Sequence, residues 1–266
     1  MDLQLTHKTA LVSGANRGTG KVIATTLAAE GATVALHAFS EEDADEAMAA
    51  LADTALNIVP VVGDILTDEG ARQVMEQLAQ HGLSVDILVN NYGSAMAGRW
   101  DSLTTEQWIE ASNVNLLSAV RLIQHCTPQM KAKQWGRIIN LSTMGDHQPN
   151  AIMPHYYSAK AALSNASVSL AKELSNTGIT VNTVSPGLIH TREVERAYQI
   201  RAQKKGWPTE WASLQEHIVQ QDFPNPCGRL ATRQEVADLV VFLASPRAGF
   251  INGQNIRVDG GAVRYV

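Results

Sequence analysis

Along most of its 266 residues the chain alternates between short apolar runs and longer amphipathic stretches. Seven of the apolar runs read as strands: residues 8–13, 33–38, 57–62, 85–89, 136–142, 179–184 and 255–258. They are rich in Val, Ile, Leu and Ala, and near-continuous apolar strands of this kind belong to a sheet buried on both faces. Between them, residues 21–30, 67–81, 104–133, 154–176 and 233–244 carry helical spacing. A further helix opens at Glu41-Glu42-Asp43, whose carboxylates suit the positive end of a helix dipole. Such alternation implies parallel strands joined by right-handed crossovers, with helices covering both faces. Residues 191–222 break the pattern: Tyr198, Trp207 and Trp211 stand among charges, and Pro208 interrupts them. A segment of this length at a sheet edge is expected to be a helical lid.

Ligands of open parallel sheets sit beyond the carboxyl ends of the strands, so the residues that follow each strand carry the functional information. The first strand runs into Gly14-Ala15-Asn16-Arg17-Gly18-Thr19-Gly20 and then a helix. Glycines let the backbone approach a pyrophosphate, and the free amides and dipole of the following helix favour the anion. The second strand ends at Ala38-Phe39-Ser40, without the acid that commonly holds a ribose 2′-hydroxyl in NAD sites. Arg17 and the Ser40 hydroxyl could instead hold a 2′-phosphate, so NADPH or NADP+ is expected ahead of NAD. The third strand ends at Gly63-Asp64-Ile65, and the fourth at Asn90-Asn91-Tyr92-Gly93.

The fifth strand delivers Ser142 and Thr143 to the same edge, and because side chains alternate only one hydroxyl is expected to face the cleft. Pro154 opens a helix on which Tyr156 and Lys160 are four residues apart and share a face. A fixed cation near a phenol favours the phenolate and lowers its pKa from about 10. Asn115 interrupts an apolar helical stretch, so its amide needs buried partners. Met144, Met153, Leu188, Tyr92 and Ser94 suggest a sizeable, fairly apolar substrate pocket, and His147 reads as a solvated loop histidine.

Composition narrows the rest. A net charge of −5 with scattered Lys and Arg lacks the footprint of a nucleic-acid binder. Cys126 and Cys227 have no C-x-x-C companion, as in a reducing compartment, and the eight histidines form no H-x-H or H-x-x-x-H pair, so no metal is expected. No leader-like apolar segment follows Met1 and no run of about 18 apolar residues occurs, which points to the cytoplasm and away from the membrane.

The order of these motifs resembles the short-chain dehydrogenase/reductase family over nearly the whole chain, notably its 3-oxoacyl carrier-protein reductase-like branch. Ser13 stands where the family usually has Thr, and Tyr92 where it has Ala; Ser185-Pro186-Gly187, Gly228-Arg229-Leu230 and Val258-Asp259-Gly260-Gly261 also match. The resemblance implies one Rossmann-fold domain spanning 1–266, a doubly wound seven-stranded parallel sheet, and reversible reduction of a ketone or aldehyde. It implies a catalytic group of Asn115, Thr143, Tyr156 and Lys160, with Thr143 at the position of the family's Ser and Ser142 as the alternative. Tyr156 would donate the proton, Lys160 would also bind the nicotinamide ribose, and Asn115 would hold a relay water. Asp64 and Asn91 would contact the adenosine, and Pro186, Gly187, Ile189 and Thr191 the nicotinamide end. A homotetramer or dimer through the helices of 104–133 and 154–176 is expected by the same resemblance. An acyl carrier protein as partner is left open by Lys131, Lys133 and Lys172 but disfavoured by Gln134, Asn176 and Thr177. A non-catalytic NADPH-binding regulator is the remaining alternative.

Overall fold

A computed structural model of the chain describes residues 1–264. Seven strands, β1 (Thr9–Val12), β2 (Thr33–Ala38), β3 (Ile58–Val62), β4 (Ile87–Asn90), β5 (Gly136–Leu141), β6 (Ile179–Pro186) and β7 (Asn255–Val258), form one sheet in the order β3-β2-β1-β4-β5-β6-β7. Every pairing is parallel. The strand order reverses between β1 and β4, which opens a crevice at their carboxyl ends.

Period-two alternation sorts the side chains of each strand into two cores. Ala10 and Val12 of β1 pack with Val34, Leu36, Val89 and Ile139 against α1 (Gly18–Ala29), while Leu11 faces the opposite layer with Ala35, Leu88 and Ile138. That opposite layer is built from α3 (Asp68–Gln80), which follows α2 (Glu41–Ala49), together with the helices described next. Leu11, Leu36, Ile87 and Ile138 are fully buried, each contributing about 1.5–3 kcal/mol of transfer free energy.

Residues 104–133, expected as one helix, are α4 (Thr105–Ser112), a π turn (Asn113–Leu117) and α5 (Ser118–Lys133). The extra residue of a π turn shifts the helix phase, and it does so at Asn115. α6 (Pro154–Glu173) carries Tyr156 and Lys160 and ends three residues before the expected 176. The insertion at 191–222 is helical, as α7 (Arg192–Lys205) and α8 (Trp211–Gln221), with its own small core of Ala202, Leu214, Ile218 and Phe223. α9 (Arg233–Ala244) closes the first core with Val236 and Val240, its start fixed by a capping box between Thr232 and Glu235. None of the helices among the described residues is long and apolar enough to cross a membrane.

Gly178 starts β6 with φ +72°, and a Cβ there would lie 2.1 Å from the Gln134 carbonyl oxygen. Gly206, at φ +68°, has no atom within 4 Å of the same position. Gly206→Ala is therefore expected to cost only the backbone penalty of about 1–3 kcal/mol. Gly178→Ala must displace main chain as well, and urea denaturation should show the larger loss for it; equal losses would refute the steric account.

Candidate active site

The carboxyl ends of β1, β4, β5 and β6 and the start of α6 converge on a groove of about 240 Å³. It is lined by Arg17, Thr19, Gly20, Asn91, Gly93, Ser142, Tyr156, Lys160, Pro186 and Ile189. A second cavity of about 720 Å³ adjoins it, with Tyr156 and Ile189 belonging to both. Thr143, Met144, Met153, Gly187, Leu188 and Thr191 line the larger one, and Val194, Tyr198, Arg201 and Asp222 of the inserted helices form its outer wall.

The glycine loop is shaped for close approach to a ligand. Gly14 and Gly18 have φ of +59° and +60°, and a Cβ on Gly20 would meet Asn91 Nδ2 at 2.4 Å and the Gly14 carbonyl at 2.5 Å. No side chain caps the start of α1, whereas Ser40, Thr67, Thr104, Thr191 and Thr232 cap other helices. Its first amides are thus available to an anion. Asn91 donates from Nδ2 to the carbonyls of Ser13 and Gly14, both at 3.0 Å, so this amide holds the loop. The Ser13 hydroxyl accepts from the main-chain N–H groups of Asn91 and Tyr92.

At the end of β2, Ser40 also caps the next helix. Its hydroxyl accepts from the Asp43 N–H as the cap of α2 and donates to the Asp43 carboxylate at 3.1 Å. Asp43 also accepts from Asn16 Nδ2. Arg17 is exposed and lines the groove. Ala38 is buried and Phe39 stands 4.5 Å from the Tyr92 ring. Asp64 is exposed, its carboxylate accepting from the Leu66 N–H, whereas Ile65 points into the core and offers a ligand only main chain.

The two hydroxyls at the end of β5 separate as alternation requires. Thr143 lines the larger cavity beside Tyr156, and its Oγ1 accepts from the Gly145 N–H at 3.3 Å. Ser142 turns inward and donates to Asp146 Oδ2 at 2.7 Å. That carboxylate, almost wholly buried, also accepts from Ser164, from Ser185 at 3.0 Å and from Asn255 at 2.8 Å, and it pairs with His147. Burial pushes the Asp146 carboxyl up, but the bonds from Ser164, Ser142, His147 and Asn255 outweigh this and hold it below its ordinary value. His147, expected to be a solvated bystander, is therefore one of the groups that satisfy a buried charge. Sequence reasoning missed Asp146: no local spacing announces that α6, β6 and β7 bring donors to it.

Lys160 is 2 % exposed and donates from Nζ to the Leu141 carbonyl at 2.8 Å. Burial lowers its pKa to about 8, with the Asp146 charge acting in the opposite sense. Tyr156 moves contrary to the expected direction: burial pushes the phenol up to about 12, Tyr157 and Asp146 add to this, and the Thr143 hydroxyl opposes it. The neutral phenol is thus the resting form. Asn115 finds its buried partners at Ser94, whose N–H it accepts at 3.0 Å and whose carbonyl it donates to at 3.1 Å, and at the Ala111 carbonyl. Its Oδ1 and Lys160 Nζ lie 2.8 and 2.7 Å from where a Cβ on Gly93 would sit, so only glycine fits between them.

A seven-stranded doubly wound sheet with a glycine loop after its first strand and a cleft at the strands' carboxyl ends is the architecture of dinucleotide-binding folds. A family model described as Enoyl-(Acyl carrier protein) reductase matches residues 14–263, and the chain belongs to the short-chain dehydrogenase/reductase family, oxidoreductases acting between CH–OH and C=O groups. It is 37% identical to the 3-oxoacyl-[acyl-carrier-protein] reductase FabG of Escherichia coli (strain K12) over 254 residues, covering 96% of each chain. It is 33% identical to the D-beta-hydroxybutyrate dehydrogenase of Cupriavidus necator, over 97% of this chain and 99% of that one. The crystal structure of L-sorbose reductase from Gluconobacter frateurii, complexed with NADPH and L-sorbose, superposes with a TM-score of 0.93 at 30% identity over 100% of both chains.

The buried lysine yields a pH test in the cofactor-free protein. Above pH about 8 the folded ammonium loses its proton, while the unfolded lysine keeps it up to its ordinary 10.5, so the unfolded chain binds more protons and stability rises with pH in that window. Lys160→Met lacks this contribution. The urea midpoint of the wild type should gain on that of the variant between pH 7.5 and 10; a constant difference would sink the assignment.

Proposed function

We propose that the protein is an NADPH-dependent reductase that converts a ketone or aldehyde reversibly to an alcohol. The observation that carries the reading is Tyr156 at the junction of the two cavities, with Thr143 beside it on the larger one and Lys160 on the groove side. The uncapped start of α1, the close-approach glycines and exposed Arg17 suit a phosphorylated dinucleotide, and the sorbose reductase neighbour was solved with NADPH. When bound, that cofactor supplies the hydride.

The protein's own part is the proton and the polarisation of the carbonyl. Tyr156, neutral at working pH, would donate its proton to the carbonyl oxygen from the wall shared by both cavities. Thr143 would hold that oxygen as negative charge develops, from a hydroxyl whose turn is fixed by Gly145 and Asp146. Lys160 would stabilise the phenolate left behind and bind the nicotinamide ribose. Asn115 would position Gly93 and Ser94 beside that lysine and hold the relay water. The inserted helices would act as a lid that excludes water from the larger cavity.

The carrier-protein reading weakens at its basic residues. Lys133 donates to Asp86 at 2.6 Å and Lys131 pairs with Glu173 at 3.7 Å, so two of the three lysines that left it open already face carboxylates. A non-catalytic regulator would not need the complete Thr–Tyr–Lys group. The larger cavity mixes Met144, Met153, Leu188 and Phe223 with Gln148, Asn150, Tyr157 and Tyr198, which suits a substrate bearing both apolar and hydroxyl groups.

With a panel of ketoses, simple ketones and 3-oxoacyl thioesters, the wild type should oxidise NADPH in the presence of a carbonyl. Tyr156→Phe should lose about 10²- to 10⁴-fold of this rate while still binding NADPH. Thr143→Val should lose about 10²- to 10³-fold, and Thr143→Ser should retain most of it. Full activity in Tyr156→Phe defeats the mechanism, and an inactive Ser142→Ala beside an active Thr143→Val would move the hydroxyl role to Ser142.

Self-association is proposed through α5 and α6, supported by a solvent-open cavity of about 510 Å³ between them lined by Val120, Ile123, Leu163 and Leu170. Light scattering should give two or four times the 28.7 kDa chain mass, and a monomer would remove this reading.

A further inference from the structure

A histidine near the carboxyl end of β2 has no place in the mechanism above. His37 is the fifth residue of the six-residue β2 and is fully buried. Both of its ring nitrogens are engaged: Nδ1 accepts from the Gly14 N–H at 3.0 Å, and Nε2 is 2.8 Å from the Gly63 carbonyl oxygen. An amide N–H can only donate and a carbonyl can only accept, so the neutral ring with its hydrogen on Nε2 satisfies both. Burial keeps it in that form by lowering the pKa to about 4, against the opposing effects of the Gly63 bond and the Asp64 charge. β2 lies between β1 and β3, so this one ring joins the loop that follows β1 to the loop that follows β3. The main chain of His37 holds the same loop a second time, its carbonyl accepting from the Ala15 N–H at 2.8 Å.

What the ring fixes is the entry to the glycine loop. Gly14 sits at φ +59°, a region where glycine has freedom, and nothing about its own side chain can orient the peptide. The peptide is set from outside, by His37 on the N–H, by Asn91 on the carbonyl, and by Tyr92, whose Cδ2 lies 3.1 Å from the Cβ position. Phe39 links these supports, edge-on to His37 at 5.2 Å and 4.5 Å from Tyr92. The Gly14 and Gly63-Asp64 segments flank the site that, in the cofactor reading above, receives the adenosine half of NADPH.

We propose that His37 is a positioning residue for dinucleotide binding, tying the first glycine of the phosphate loop to the end of β3 through a single neutral tautomer. The role rests on the cofactor reading and concerns binding alone: His37 touches neither Tyr156 nor the larger cavity.

Three variants of the full-length protein separate the two bonds. His37→Asn keeps an oxygen near the Nδ1 position to accept from Gly14, His37→Gln keeps a donor near the Nε2 position for Gly63, and His37→Leu keeps neither. NADPH affinity would be read from the change in its fluorescence on binding, with KM for NADPH, KM for the carbonyl and kcat read from steady-state rates. The Asn variant should bind NADPH within about threefold of wild type. The Gln and Leu variants should weaken at least about tenfold, equivalent to about 1.4 kcal/mol and within the range for a buried donor left without its partner. In both, KM for NADPH should rise in step while kcat at saturating NADPH and KM for the carbonyl hold within about twofold. Unchanged affinity in the Gln variant overturns the proposal. So does equal weakening of the Asn and Gln variants with both KM values rising, since that marks lost ring packing. If the Leu variant does not fold, the Asn and Gln pair decides by itself. A wild type with no affinity for NADPH removes the cofactor reading and this role with it, whereas tight binding by wild type and all variants refutes only the role of His37.

Discussion

The ammonium of Lys160 is the constraint around which this site is arranged. A cation at 2 % exposure loses most of its hydration, and the protein offers it one direct acceptor, the Leu141 carbonyl at the end of β5. The nearest compensating charge is Asp146, which is itself buried. A buried carboxylate is tolerable only when its oxygens are filled with donors, and β5, α6, β6 and β7 each send one. The two opposite charges thus hold the carboxyl edge of the sheet together without forming an ion pair. An ion pair would quench the lysine, whereas separation leaves its field available to the groove.

The same arrangement divides labour across Tyr156. On one side, a glycine loop with uncapped amides, Arg17 and the Lys160 charge face a narrow groove suited to an anionic dinucleotide. On the other, the inserted helices wall a wider cavity with a mixed lining. The phenol lies between, kept protonated by burial. It is neutral at rest, and a further positive charge arriving in the groove would favour its ionised form.

The architecture was legible from apolar periodicity and strand ends because buried parallel strands leave unmixed hydrophobic runs and their carboxyl ends collect small and polar residues. Tyr156 and Lys160 were legible because helical spacing alone sets them on one face. The π turn at Asn115 was not, since the amide there is taken up by Ser94, 21 residues away in the chain. The Asp146 network and the His37 bridge were invisible for a similar reason. Each joins groups separated by between 1 and 109 positions, or by 23 and 26, and sheet order rather than sequence order makes them neighbours. The capping of α2 by Ser40 was not foreseen either: its hydroxyl was read toward a phosphate, and in the structure it also bonds Asp43 in the acidic turn that follows.

Thr143 shows why those distant contacts matter to the chemistry. A threonine has fewer favourable rotamers than a serine because of its β-branch, so its hydroxyl must be pointed correctly by the backbone that carries it. That backbone turns immediately into a short 3₁₀ segment, Met144–Asp146, whose last residue is the buried carboxylate. Only glycine fits in the middle, at Gly145, because a Cβ there would fall 2.1 Å from the Tyr157 ring. The turn is therefore fixed at its start by the Thr143–Gly145 bond, in its middle by contact with α6, and at its end by four strands and helices bonded to Asp146. A site that holds its threonine this firmly gains nothing from the freer rotation of serine, which is a physical reason for the substitution to be accepted at this position.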